Sequence, residues 1–353
     1  MSSDLGRKPR AVALISGGLD SLLAAKLVMD QGVHVEGLNF FTGFCVEGHT
    51  HAIREGKERA APRNNALWVA EQLGIKLHII DVIDDYKDVV LNPKHGYGKN
   101  LNPCLDCKVF MVNRAETWGF MQEGGFDFVI TGEVMGQRPK SQMKDKLALI
   151  ARESGVEDRL LRPLSAQHLP PTLPEREGWI DRAAMRGFHG RNRKPQIALA
   201  QEMGFRDWAQ PAGGCCFLTD PEYSNRLSDM WDARADRHYD LDDIMLLKVG
   251  RHLRPAPNFK LVIGREAGEN NYLEGYRSRF IHLRTVHHKG SFALLDGEPS
   301  HADLALAARI VARYSQGRTA ESVEVSIHKL DGVVEQLTVQ PLAPHAIAPQ
   351  WHV

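Results

Sequence analysis

Short runs of consecutive apolar residues alternate, over the first half of the chain, with stretches whose apolar positions recur every three or four residues. The first run, residues 11–15, is rich in strand formers. It passes through Ser16-Gly17-Gly18 into a segment where Leu22, Leu23, Lys26 and Leu27 share one helical face, ending at Gly32. The pattern then predicts strands over 33–40 and 76–82 around a helix from about 62 to 73 closed by Gly74, with Pro62 in its first turn. A polar, turn-rich loop over 84–103 follows, then a helix over 104–122, a buried strand over 126–134, a helix over 141–152 and a last strand over 160–164. Strand–helix alternation of this kind predicts a parallel sheet with right-handed crossovers and helices on both faces. Ligands in such sheets sit at the carboxyl ends of the strands.

The character changes after Asp240. Residues 244–247, 260–265 and 291–295 read as strands, 303–314 as a helix, and 322–327 alternates as a half-exposed strand does. The expected organisation is therefore an α/β domain over 1–165, an extension over 166–238 with short helices over 196–203 and 223–234, and a small α+β domain over 239–353.

Composition sets outer limits. The 44 basic residues balance 44 acidic ones, so there is no global basic field and any nucleic-acid contact must come from local patches. Two such patches stand out: Arg186, His189, Arg191, Arg193 and Lys194, and then Arg251, His252, Arg254, Lys260 and Arg265. No stretch of eighteen apolar residues occurs, and the first ten residues lack an apolar signal core. Five cysteines, two of them in a Cys-x-x-Cys, suggest reduced thiols with a task and a cytoplasmic protein with no membrane association.

The chemistry starts at the glycine turn. Strand, Gly-Gly, helix points unpaired N–H groups and a positive helix end at whatever lies above it, which suits an anion. Ser16 and Ser21 add hydroxyls, and Asp20 is a candidate for Mg²⁺. The Walker pattern, with its longer loop and Lys-Ser or Lys-Thr, is not met. Thr131-Gly132 and the loop carrying Gln137 fall at another strand's carboxyl end, on the same presumed ligand side. The 84–103 loop delivers Cys104 and Cys107 to a helix start, where the dipole favours thiolate.

Ser16-Gly17-Gly18-Leu19-Asp20-Ser21 resembles the PP-loop of ATP pyrophosphatases, which split ATP between its α- and β-phosphates. Together with residues 102–107, Thr131-Gly132-Glu133, Gly136-Gln137-Arg138 and residues 211–220, it makes residues 8–230 similar to the PP-loop tRNA-thiolation enzymes, the ThiI and MnmA kind. Gly250-Arg251-His252 and Ile263-Gly264-Arg265-Glu266 resemble the RNA-associated domain called NFACT-R. The resemblance implies an adenine nucleotide alpha hydrolase-like sheet that binds ATP and Mg²⁺ through Ser16, Gly17, Gly18, Asp20, Ser21, Thr131, Gly132 and Gln137. It further implies a tRNA uracil as substrate, a persulfide or sulfide donor, and catalysis by Asp20, Cys104 and Cys107. Neither a THUMP region before the PP-loop nor a rhodanese domain after it is expected, so the nucleoside stays open. So does the sulfur route. Cys104 and Cys107 with Cys215 or Cys216 would make a three-thiolate site for a [4Fe-4S] cluster. Two thiols alone would serve persulfide and disulfide chemistry, all four a structural zinc, and Cys45 reads as a small buried residue. The competing functions are a PP-loop synthetase forming an amide or nitrile on a small molecule, and a non-catalytic RNA-binding ATP sensor.

Overall fold

The computed structural model describes residues 7–46, 64–122, 125–209, 215–234 and 236–353, and the chain divides into two compact units between Cys216 and Phe217. In the first unit, β1 (Arg10–Leu14), β2 (His34–Phe41), β3 (Leu77–Asp81), β4 (Phe128–Ile130) and β5 (Leu160–Leu161) form a parallel sheet in the order β3-β2-β1-β4-β5. The order reverses beside β1, which pairs Ala11 with Val35 on one side and with Phe128 on the other. That reversal opens a crevice at the carboxyl ends of β1 and β4.

Period-two alternation in β1 builds two cores. Ala11, Ala13 and Ile15 face α1 (Leu19–Met29) and α2 (Asn65–Leu73), while Val12 faces α4 (Cys104–Met121) and α5 (Lys144–Glu153), with Leu38, Val112, Ala115 and Ile150 around it. Both layers are apolar and almost fully enclosed, so helices cover both faces, as the alternation predicted. The helix α2 begins at an Asn64 cap whose side chain accepts from Ala66 and Leu67, so Pro62 lies outside the described residues. Residues 210–214, which include the start of the 211–220 segment, also lie outside them.

The predicted long loop after β3 is corrected by α3 (Ile83–Leu91). Ile83, Tyr86 and Val90 recur at helical spacing and are buried, but Asp84, Asp85, Lys87 and Asp88 between them gave the stretch a loop's polarity.

In the second unit, β6 (Arg251–Ala256), β7 (Phe259–Ile263), β8 (Ile281–Thr285), β9 (Ala293–Gly297), β10 (Val323–His328) and β11 (Val334–Val339) form an antiparallel sheet in the order β11-β10-β8-β9-β7-β6. The helices α6 (Lys194–Glu202) of the first unit and α7 (Pro221–Arg234) of the second lie near the two helices predicted for the extension. Residues 244–246 of the stretch read as a strand belong to α8 (Leu241–Leu246), with Leu247 as its C-cap, because Asp240 and Asp243 form a capping box at its start. The helices α9 (Ala267–Glu274) and α10 (His301–Arg313) complete the unit, and α10 packs Leu304, Ala307, Ala308 and Val311 against Leu283, Val325 and Ile327.

The side chains of the second basic patch are largely paired within their own unit, and Arg265 is exposed. Lys260 and Arg254 both pair with Asp229 at 2.9 Å, Arg265 with Glu269 at 2.9 Å, and His252 is 2% exposed with Nε2 held by the Val249 carbonyl. Only Arg251 is left over, lying above the Tyr314 ring. Among the described residues, no helix is long and apolar enough to cross a membrane.

Candidate nucleotide and thiol site

Beyond β1 the chain is held by Ile15 N–H to Leu38 and by Asn39 Nδ2 to the Ile15 carbonyl at 2.7 Å. Gly17 then turns with φ +80°, and a Cβ there would stand 2.7–2.8 Å from Asn65 and Ala66. Gly18 caps α1 with no side chain, so the first-turn N–H groups remain for a ligand. Ser21 is buried and donates back to the Gly18 carbonyl at 2.8 Å, so its proton serves the turn. Thr131 likewise donates to Glu133, which Arg162 also bonds at 2.9 Å. Against its burial, Arg162 and Lys108 hold the Glu133 carboxyl below the usual range. Thr131 therefore braces the strand end.

Asp20 is the focus of a chain of amides. Gln137 Nε2 donates to Asp20 Oδ2 at 2.7 Å, and buried Gln196 on α6 donates to Gln137 Oε1 at 3.0 Å. Arg193 Nη2 stands 3.8 Å from Oδ1, an atom shielded from solvent and without a hydrogen-bond partner. Burial raises the Asp20 pKa above its ordinary value, with Gln137, Arg193 and Arg138 opposing it. An orphaned carboxylate oxygen beside a glycine turn fits a divalent cation.

The main chain leading to Arg193 is tied to the strand ends, while Arg191 and Lys194 are exposed. Arg186 N–H bonds to Pro163, Phe188 to Leu164 and Gly190 to Met135, while Ser165 Oγ donates to the Phe188 carbonyl at 2.7 Å. These bonds bring the first basic patch onto the strand ends and set Arg193 and Gln196 at the nucleotide site. Sequence reasoning named Arg193 for RNA and missed Gln196, for which no local signal exists.

The thiols gather near the same loop. Cys104 opens α4 after Pro103, and the Cys107 N–H returns to the Pro103 carbonyl at 2.8 Å. Burial, then the neighbouring Cys215, push the Cys107 thiol up to about 12, while it shares a hydrogen bond with the buried Tyr86 hydroxyl. Cys215 is exposed, and a hydrogen bond from Cys216 lowers it to about 5, with Arg138 and Lys108 adding to the effect. Asn102 Nδ2 donates to Cys216 Sγ at 3.1 Å. Cys45, set aside on sequence, pairs its backbone with Cys216 across a single antiparallel bridge and so joins this neighbourhood.

Cys104, Cys107, Cys215 and Cys216, the expected metal set, are all free thiols. Among the described residues, no three His, Cys, Asp or Glu side chains are arranged to hold a metal ion. The reason is local: Cys107 is turned to Tyr86 and Cys216 to Asn102. Arg138 acts electrostatically on both Asp20 and Cys215.

Both units have counterparts among known proteins. Residues 9–155 match the family model described as the tRNA methyl transferase HUP domain, and residues 250–352 match the NFACT protein RNA binding domain. The chain is 27% identical over 233 residues to a tRNA-specific 2-thiouridylase of Marinobacter nauticus, covering 64% of this chain and 54% of the relative. It is 35% identical over 125 residues to a tRNA-specific 2-thiouridylase of Sulfurimonas denitrificans, covering 33% of this chain and 32% of the relative. The chain thus spans between about a third and a half of the length of these relatives. A solved 4-thiouridine synthetase–RNA complex with bound ATP is 22% identical, covering 56% of this chain and 50% of that chain, with a TM-score of 0.33.

Proposed function

We propose that this chain, whose residues 9–155 match the tRNA methyl transferase HUP domain and whose residues 250–352 match the NFACT RNA-binding domain, is an ATP-dependent tRNA sulfurtransferase that makes a thiouridine. The observation that carries the reading is Arg138, whose charge bears on both the nucleotide-side carboxylate Asp20 and the thiol Cys215. A nucleotide site built only for sensing has no use for a low-pKa thiol sharing its cation.

In this reading the uracil carbonyl oxygen attacks the α-phosphate of ATP and pyrophosphate leaves. Activation is needed because a carbonyl oxygen is a very poor leaving group. The N–H groups after Gly17 and Gly18 hold the phosphates, and Mg²⁺ held by Asp20 would offset charge on the departing pyrophosphate. Arg193 and Arg138 are the nearby cations for the same charge.

The sulfur step follows from the contrast between the thiols. Exposed Cys215, ionised at neutral pH, attacks the outer sulfur of a donor persulfide and becomes a persulfide itself, the donor leaving as a thiolate. Its terminal sulfur adds to the activated carbon and AMP departs, leaving the base joined to Cys215 through a disulfide. That disulfide is neutral, so the charge that helped to hold Cys107 protonated is gone. Cys107 then attacks the Cys215 sulfur as its proton passes to the departing thiolated base. The thiolated base leaves with the electron pair, and a Cys107–Cys215 disulfide remains for a dithiol reductant to reset. Cys104, at the helix start, and Cys216, against Asn102, complete the thiol group. This route asks for two thiols, and the arrangement around Tyr86 and Asn102 favours it over a [4Fe-4S] cluster.

The test is a nucleoside mass profile of unmodified tRNA incubated with the protein, ATP, Mg²⁺ and a persulfide donor, alongside analysis of the nucleotide products. Thiouridine with AMP and pyrophosphate supports the reading. Release of ADP and orthophosphate, or an iron-dependent reaction indifferent to loss of Cys215, overturns the two-thiol route.

A further inference from the structure

The antiparallel sheet of the second unit has one face packed on α10, through Leu283, Val323, Val325 and Ile327. Its opposite face differs from end to end. Over β7 and β9 it is apolar and covered, with Val262, Phe292 and Leu294 packed against Leu246 and Leu273. Over β8, β10 and β11 the same face carries His282 and Arg284, then Ser326 and His328, then Val334, Gln336 and Thr338. Strand register sets His282 opposite His328, and His328 opposite Val334. Arg284, Val334, Gln336 and Thr338 are exposed.

A ladder of flat rings crosses this face. His328 stacks on His282 with centroids 4.5 Å apart and planes 7° apart, and His282 stacks on Phe292 at 5.3 Å and 26°. Nδ1 of His282 and Nε2 of His328 are shielded and have no hydrogen-bond partner. An imidazole pair with idle polar atoms is a poor way to stabilise a sheet, where two apolar residues would serve better. The inner end of the ladder is closed by Phe292. At its outer end the next cross-strand residue is the small, exposed Val334.

We propose that this open sheet face binds unpaired RNA bases, the first of them stacking on His328 above Val334. A flat imidazole offers a π-face to any base, Gln336 and Thr338 offer hydrogen bonds to base edges or 2′-hydroxyls, and Arg284 offers a cation to the backbone. The acidic group on this face, Glu324, is already engaged by His287 at 3.0 Å. Arg254 of β6 and Lys260 of β7 are spent on Asp229 and do not compete for the role. The inference rests on the proposed RNA substrate but concerns a surface that the thiolation chemistry does not use.

The experiment is a fluorescence-anisotropy titration of the full chain with a labelled single-stranded oligouridine and with an RNA duplex, at fixed salt. Binding is expected to favour the single strand. His328→Ala is expected to weaken it by roughly 5–10-fold, near the low end of what one stacked base contributes, and His328→Phe to keep it. Val334→Glu, at an exposed position that leaves the fold intact, is expected to weaken it too. If His328→Ala and Val334→Glu both bind as the parent does, or if His328→Phe loses as much as His328→Ala, the stacking face is overturned. Thiouridine formation on tRNA is scored separately. A chain that binds oligouridine through His328 without thiolating refutes the enzyme reading alone, and one that thiolates with binding indifferent to His328 refutes this inference alone.

Discussion

Gly132 lies so close to the first turn of α1 that a Cβ on it would stand 2.5 Å from the carbonyl carbon of Asp20 and 2.6 Å from the Ser21 nitrogen. Backbone cannot yield there as a flexible side chain would. Gly132→Ala is therefore expected to cost about 1–3 kcal/mol of stability and to displace the turn that holds the phosphates. Denaturant unfolding and ATP binding by calorimetry check the two effects. A variant with unchanged stability and affinity would show that α1 and β4 are not in contact at this point.

Burial raises the pKa of Asp20 despite Gln137, Arg193 and Arg138, so the folded chain holds this proton more tightly than the unfolded chain does. The stabilising contribution is present below the unfolded value and is lost as pH rises through the folded one, leaving ionised Asp20 a net cost at neutral pH. Asp20→Asn is expected to stabilise the fold at pH 7 by up to about 1 kcal/mol, less as pH falls towards 4, while ATP cleavage is lost. Unfolding curves at several pH values, paired with pyrophosphate release, measure both halves of that exchange.

Gln196 touches no reacting group but holds Gln137, which holds Asp20. Gln196→Leu keeps the volume and frees Gln137 Oε1. The expected result is a fall in kcat for ATP cleavage of about tenfold, roughly 1.4 kcal/mol of transition-state stabilisation, with a small change in KM and no recovery in Gln196→Glu, whose carboxylate has no N–H to donate to Gln137 Oε1. A change in melting temperature with no change in kcat would make Gln196 merely structural.

Cys215, at about 5, is expected to react with iodoacetamide at a rate that rises with pH around 5 and is level by pH 7. Cys107, pushed up to about 12, should stay unmodified over that range. Arg138→Met should move the Cys215 midpoint upward. Peptide mass spectrometry after timed alkylation reads each cysteine separately, and an ordinary thiol midpoint near 8.5 at Cys215 would remove the basis for its role as the sulfur acceptor.

Much of the first unit was legible because local signals agreed with the fold. A strand-forming run, two glycines and an amphipathic helix leave the chain few alternatives, and each core of the sheet repeats the period-two pattern of β1. What stayed hidden depends on partners far along the chain. Nothing near Gln196 marks it, since its role is a bond to Gln137, and nothing near Lys260 announces that Asp229 neutralises it. The helix α3 was masked by its own charged outer face, and α8 by an apolar run whose meaning was decided by the Asp240 cap. Cys45 reads on sequence as a small buried residue because its bridge to Cys216 joins positions far apart in the chain.

The reversal of strand order beside β1 also sets a timetable. The glycine turn is made early in synthesis, but its walls come from β4, from the loop holding Gln137 and from Gln196 on α6. At ordinary translation speeds the interval between Asp20 and Gln196 is on the order of 10–35 s. For that time the nascent chain presents the turn without the groups that aim its carboxylate, and β1 without one of its two neighbours. Substitutions that slow docking of β4 should thus show themselves as loss of yield at the ribosome before any loss of activity in the finished protein.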